Sequence, residues 1–145
     1  MSRQIGVTRI LHHVAVGIIV DASQRVLISK RPNHKIKGGF WEFPGGKIEQ
    51  NETPEQGLTR ELLEEVGIKV LNSKLLMQYQ YDYSEHSAQL EVFVVFEFEG
   101  EAQSLEGQEI KWISVEEFSN YHFPEANQQM IKRYLNEIHL KSLGN

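Results

Sequence analysis

Residues Gly46 to Ile68 read GKIEQNETPEQGLTRELLEEVGI, and this stretch constrains the chain more than any other. Its second part predicts a helix over Thr53 to Val66. Thr53 is an N-cap residue, Pro54 suits the first helical position, and Gln56 stands three residues after the cap to close a capping box. Gly67 is the stop signal. At about 100° per residue, Glu61, Glu64 and Glu65 fall within an arc of roughly 100°. Leu58, Leu62 and Val66 form the adjacent apolar stripe. Three carboxylates on one patch repel each other and weaken the helix. A hard divalent cation reverses the sign of that interaction, because magnesium prefers oxygen ligands. Gly57 lies beside the patch with no side chain to obstruct it, at a cost to the helix of about 1 kcal/mol. Helix composition alone favours a simpler reading, an exposed glutamate-rich face with Arg60 in an ordinary ion pair.

The elements around this helix alternate. Val14 to Val20 is a continuous apolar run that suits a strand buried on both faces. Asp21 to Gln24 reads as a turn and Val26 to Ser29 as a second strand, so the pair reads as a hairpin. Arg31 to Gly39 is a basic loop, and Phe40 to Phe43 leads into a break at Pro44-Gly45-Gly46. Leu75 to Tyr83 and Leu90 to Phe98 are strands separated by a polar turn, Ser84 to Ser87. Ile110 to Ile113 is a short strand. Pro124 opens a last helix, with Ala126, Met130, Ile131, Tyr134, Leu135 and Ile138 on one face. Strands, a helix, more strands and a helix make an α+β sandwich the natural architecture. The 145 residues suffice for one domain, residues 1–145, with a core of its own.

Composition excludes several function classes. There is no cysteine, so disulfides, thiolate zinc and cysteine nucleophiles are out. The net charge of −5 lacks the basic footprint of a polynucleotide binder. An acidic enzyme acting on an anionic substrate needs something to offset the repulsion, and a divalent cation is the obvious candidate. Met1 to Gly6 has no signal-peptide character, and Val14 to Val20 is too short to span a bilayer. The expected location is therefore the cytoplasm, with no membrane partner.

The full spacing decides what the acidic helix is. Gly46, five residues, Glu52, seven residues, Arg60-Glu61-Leu62, one residue, Glu64-Glu65, one residue and Gly67-Ile68 match the Nudix box at every defined position. Such a match arises by chance on the order of once in 10⁸ positions. The chain therefore resembles the Nudix hydrolases. The resemblance implies an α/β/α sandwich with a mixed sheet and a strand–loop–helix–loop catalytic motif. It implies that Glu61, Glu64 and Glu65 ligate Mg²⁺, with Mn²⁺ as a possible substitute. Glu52 and Arg60 are expected to brace the motif. Gly45 and Gly46 are expected to let backbone approach the metal or phosphate, as glycine permits.

The likeness extends to the MutT type of this family. It is carried by Val14 to Ile19, Ile28 to Arg31, Glu42 to Glu49, Glu52 to Gln56 and Phe123 to Asn127. It implies hydrolysis of an oxidised purine nucleoside triphosphate, notably 8-oxo-dGTP, to the monophosphate and pyrophosphate. By the same resemblance Asn127 reads the purine edge, Arg31 lies beside the base and Phe43 is an aromatic of the pocket. The amide of Asn127 offers both a donor and an acceptor, which complements N7–H and O6 of an oxidised guanine. Asn127 is also an ordinary residue for a first helical turn, and Phe43 an ordinary core aromatic. Glu106, in Glu106-Gly107-Gln108 ahead of Trp112, matches a metal-site or general-base glutamate, with Glu109 as the nearby alternative. One departure is Lys111, where the MutT type has glutamate. His12 and His13 are adjacent on a strand and face opposite ways. His34, Lys35 and Lys37 are either phosphate contacts or a solvated loop. Met77, Tyr79, Tyr81 and Tyr83 share a strand face, read as sheet packing over a stacking platform. Two rivals stay open: a Nudix enzyme for another nucleotide, such as ADP-ribose, a dinucleoside polyphosphate or an unmodified nucleoside triphosphate, and a Nudix-fold binding module without catalysis.

Overall fold

The computed structural model describes residues 10–32 and 38–144. Its first strand, β1 (Ile10–Ile19), explains the layering. Val16 and Ile18 face one core, while Ala15 and Ile19 face another. A strand alternates its side chains at period two, so an unbroken apolar run must be covered on both sides. β2 (Val26–Lys30) repeats the pattern, with Val26 and Ile28 in the first core and Leu27 in the second.

The remaining elements are β3 (Trp41–Glu42), β4 (Gly45–Lys47), α1 (Pro54–Val66), β5 (Lys69–Asp82), β6 (His86–Glu99), β7 (Glu109–Ile113), a 3₁₀ turn (Val115–Asn120) and α2 (Glu125–Leu143). They form a four-stranded mixed sheet in the order β4-β1-β6-β5 and a three-stranded sheet in the order β3-β2-β7. β1 and β6 run parallel, from Ile10 opposite His86 to Ile19 opposite Val95. The other pairings are antiparallel. Leu58, Leu62 and Val66 of α1 fill the second core, and Ala126, Met130 and Tyr134 of α2 fill the first. The helices thus cover opposite faces, and the expected α/β/α sandwich is present. Among the described residues no helix is long and apolar enough to cross a membrane.

Helix α1 starts and stops where its sequence predicts. Thr53 accepts from the Gln56 amide, the Gln56 side chain returns the bond to Thr53, and Gly67 takes a left-handed φ of 71°. Such a cap contributes about 1 kcal/mol. Three other expectations are corrected. The hairpin of the first two strands shrinks to a single bridge, Val20 to Val26, and the strands part into different sheets. Each has two apolar faces to bury, and the turn at Asp21 only redirects the chain. Gly45-Gly46-Lys47 is not a break but an edge strand on β1. Finally, Leu135 and Ile138 of α2 are exposed, and the buried face is held by Ala126, Met130 and Tyr134. The strands after α1 are longer than predicted, and the turn between them is shorter. Met77, Tyr79, Tyr81 and Tyr83 pack against the first core, as read from their alternation.

Candidate active site

Arg60 organises the loop and helix of the box. Its Nε and Nη2 donate to the two carboxylate oxygens of Glu52, at 2.7 and 3.0 Å. Nη2 also donates to the Lys47 carbonyl at 2.9 Å. Nη1 reaches Glu61 at 2.9 Å and Glu64 at 3.4 Å. These bonds hold the Glu52 carboxyl down to about 2, helped by the Glu49 N–H that donates to it at 2.8 Å. The forked, planar guanidinium allows one side chain to tie helix, loop and strand together. Gly57, on the same helix, packs against Ile48 and Glu52, so its bareness serves this loop contact.

The three helix carboxylates share a side of α1 but not a direction. Arg60 draws Glu61 and Glu64 to itself. Glu65 turns inward, is 8% exposed, and accepts from the Gly45 N–H at 3.3 Å. Burial pushes its carboxyl up to about 8, against the pull of the Gly45 N–H, and Glu42, Glu106 and Glu61 add to the rise. Among the described residues no three such groups are gathered as a ready-made cage for a metal. The donor set still fits a hard divalent cation. It is all carboxylate oxygen, and one member is buried among like charges that a cation would relieve. Gly46 completes the cradle: a Cβ there would lie 2.3 Å from the Glu61 carboxyl. Gly45 is as constrained, since its Cβ would lie 2.1 Å from the Ala15 carbonyl oxygen.

A cleft beside this cradle is lined by Arg31, Glu42, Glu65, Glu106 and Gln108. Glu106 comes there because the segment 103–108 caps the end of α1. Gln103 N–H donates to the Val66 carbonyl at 2.9 Å, and Leu105 N–H to that of Glu65 at 3.3 Å. Such carbonyls have no partner within the helix. Glu109 lies at the start of β7 and opens instead onto a neighbouring depression with Lys30 and Gly107. Arg31 pairs with Glu42 at 3.2 Å on the cleft wall. Lys111 stacks over Trp41 and Tyr121, at 5.7 and 5.4 Å, and is absent from the cleft lining. His34, Lys35 and Lys37 lie outside the described residues.

Of the residues expected at the base, Arg31 shares the cleft with the carboxylates, whereas Asn127 and Phe43 are absent from its lining. Asn127 sits in the first turn of α2, 9% exposed, and among the described residues its NH₂ bonds to the Met130 sulfur, at 4.0 Å. Phe43 is 4% exposed and stacks on Phe123 at 5.6 Å, inside the core. The start of α2 is nonetheless bound to the segment that enters the box. Trp41 N–H donates to the His122 carbonyl at 2.8 Å, one residue ahead of that stacked Phe123. Two residues of the site escaped sequence reasoning. Glu42 opens a stretch that carries the family likeness but was given no role of its own. Gln108 stood in the stretch read only for its glutamate. It accepts from Glu106 N–H and donates to the Glu65 carbonyl, both at 3.0 Å.

A NUDIX domain family model matches residues 15–133. The 8-oxo-dGTP diphosphatase of Haemophilus influenzae is 39% identical over 126 residues, which is 87% of this chain and 93% of that protein. The CTP pyrophosphohydrolase of Escherichia coli K12 is 32% identical over 120 residues, 83% of this chain and 89% of that protein. A solved structure from a study of MutT from Aliivibrio salmonicida and Vibrio cholerae has a TM-score of 0.79 at 38% identity, covering 88% of this chain and 98% of its own. With matches that span most of this chain and of its relatives alike, the protein belongs to the Nudix family of hydrolases.

Proposed function

We propose that this enzyme, acting as a single domain, hydrolyses 8-oxo-dGTP or a near relative among oxidised purine nucleoside triphosphates to the monophosphate and pyrophosphate. Mg²⁺ is the proposed cofactor, Mn²⁺ its substitute, and the cytoplasm the proposed location. The observation that carries the reading is Asn127: a nearly buried amide with one weak partner, at the start of a helix tied to the box. A nearly buried amide bonds strongly to a ligand that offers it both a donor and an acceptor. Its acceptor and donor match N7–H and O6 of an oxidised guanine, whereas ordinary guanine sets acceptor against acceptor. The relative named 8-oxo-dGTP diphosphatase supports the same reading.

In this reading Glu61, Glu64, Glu65 and Glu106 hold the cation, beside the backbone of Gly45. When bound, the cation would gather phosphate oxygens, acidify a water and offset charge on the leaving group. Arg60 and Glu52 keep the helix and loop in register, and Glu106 faces the cleft as the candidate base. Gly46 admits substrate to the cradle, Arg31 lines its wall, and Phe43 supports the base pocket from within the core. A second reading, hydrolysis of a pyrimidine triphosphate, is favoured by the relative named CTP pyrophosphohydrolase.

A panel of 8-oxo-dGTP, dGTP and CTP, run with Mg²⁺ in ¹⁸O-water and scored by product, tests both. We expect 8-oxo-dGTP to lead and the label to enter pyrophosphate, from attack at the β-phosphorus. A lead for CTP supports the second reading, and label in the monophosphate overturns the cleavage position.

A further inference from the structure

Helix α2 begins with an odd weakness. Its N-cap is Pro124, which makes no side-chain cap bond. An uncapped first turn frays, because its leading N–H groups lack partners. Yet this turn carries Asn127, the residue whose aim the proposed base recognition requires. Something else must hold it.

The tyrosines of β5 do so from the side. Tyr79 donates its hydroxyl to the Ala126 carbonyl, the residue just before Asn127. Tyr81 lies against the Glu125 carboxylate, one residue earlier. Both belong to the alternating row whose rings pack on the first core, while Gln78, Gln80 and Asp82 between them are exposed. Ring packing alone would be met by phenylalanine. The Tyr79 hydroxyl adds a directed bond, from a strand that is hydrogen-bonded into the sheet, to the backbone of the recognition turn. Two further bonds finish the turn: Gln128 Nε2 donates to the Phe123 carbonyl, and Asn127 N–H to that of Pro124, both at 3.0 Å.

We propose that Tyr79 is a positioning residue for base specificity, its hydroxyl fixing the first turn of α2 so that the Asn127 amide meets the purine edge. This rests on the oxopurine reading of the site. Tyr79 touches neither the carboxylate cradle nor the cleft lining, so its influence falls on substrate fit. A group 1 Å out of place is enough to loosen recognition.

The test is Tyr79→Phe, which keeps the ring and removes one hydroxyl, alone and combined with Asn127→Ala. The expected result is a KM for 8-oxo-dGTP raised roughly fivefold to tenfold, the scale of one lost hydrogen bond. kcat stays within about twofold, as befits binding lost outside the reacting centre. In the Asn127→Ala background the same change leaves the 8-oxo-dGTP to dGTP ratio unmoved, because the amide it positions is gone. A lower melting temperature with an unchanged ratio makes Tyr79 merely structural and overturns the proposal. So does a drop in kcat for both nucleotides alike. Absence of any preference in the wild type overturns the oxopurine reading first, and is seen before any variant is made.

Discussion

The two ends of the candidate site are built on opposite principles. At the box, charged groups are crowded and bonded to one another: Arg60 alone engages Glu52, Glu61, Glu64 and the Lys47 carbonyl. At the start of α2, one amide sits among aromatic and apolar side chains with a single weak contact. At the first end Arg60 takes one oxygen each of Glu61 and Glu64, and a carboxylate can accept at both of its oxygens. At the second, the nearly buried Asn127 amide has the Met130 sulfur as its neighbour, at 4.0 Å. A ligand therefore gains differently at each. In the proposed reading a cation joins carboxylates that Arg60 already orients, whereas at α2 the purine edge adds bonds to the Asn127 amide.

The widest effect should come from Glu64→Gln. Its carboxylate is more than half exposed and bonded only weakly to Arg60, so folding should survive. Turnover should fall by about 10³-fold or more, as when a main electrostatic group is lost from a reacting centre. Near wild-type turnover, measured at saturating substrate and Mg²⁺, would remove the metal role from this end and break the contrast.

Glu106→Gln should follow, with kcat reduced about 10²-fold and KM changed little, since its role lies in the transition state. Glu109→Gln, outside the cleft, should be mild. The reverse ranking in steady-state kinetics would move the candidate base to β7.

At the other end, Asn127→Ala should compress the kcat/KM ratio between 8-oxo-dGTP and dGTP. About 1–3 kcal/mol of lost complementarity corresponds to roughly 5–150-fold. The loss should fall mainly on the oxidised substrate, and slow hydrolysis of both should persist. An unchanged ratio would leave the general Nudix assignment standing without the oxopurine reading.

The smallest effect concerns the metal-free fold. The folded Glu65 carboxyl titrates near 8 against an ordinary value of 4.5. The folded chain therefore keeps a proton that the unfolded chain releases across that window. Stability in chelator should fall as pH rises from about 4.5 to about 8 and level off above it. Glu65→Gln should flatten that profile of melting temperature, and added Mg²⁺ should oppose the decline. A profile that rises through the window in wild type would contradict the inward-facing carboxylate.

What could be read from the sequence follows the same divide. The limits of α1 were legible because Thr53, Pro54, Gln56 and Gly67 act on their own neighbours. The place of β1 was legible because its apolar run demanded two cores. Pairing was not: Asp21 to Gln24 has good turn chemistry, yet the flanking strands join different sheets. Gly45 and Gly46 looked like a break because the backbone and carboxyl that crowd them come from Ala15 and Glu61, distant in sequence. The helical wheel put Glu61, Glu64 and Glu65 on one side, but could not show that Arg60 claims two and the core a third. Gln108 escaped because its partners are the Glu106 and Glu65 backbone and the Ser104 hydroxyl, which form no motif in side-chain spacing.

The strap from Trp41 to Lys47 has a metric consequence. Its first residues are a strand of one sheet and its last residues a strand of the other, with only Phe43 and Pro44 between. The near end holds the chain before α2 through the Trp41–His122 bond, and the far end meets Glu61 and Glu65. In the proposed reading its length is a ruler laid between purine and phosphate. One residue inserted or deleted there changes the gauge by about 3.3 Å, the rise of one strand residue. A catalytic constellation tolerates about 0.5 Å. Substitutions along this span can be absorbed by side-chain repacking, but a change in its count mismatches the enzyme to the length of a nucleotide.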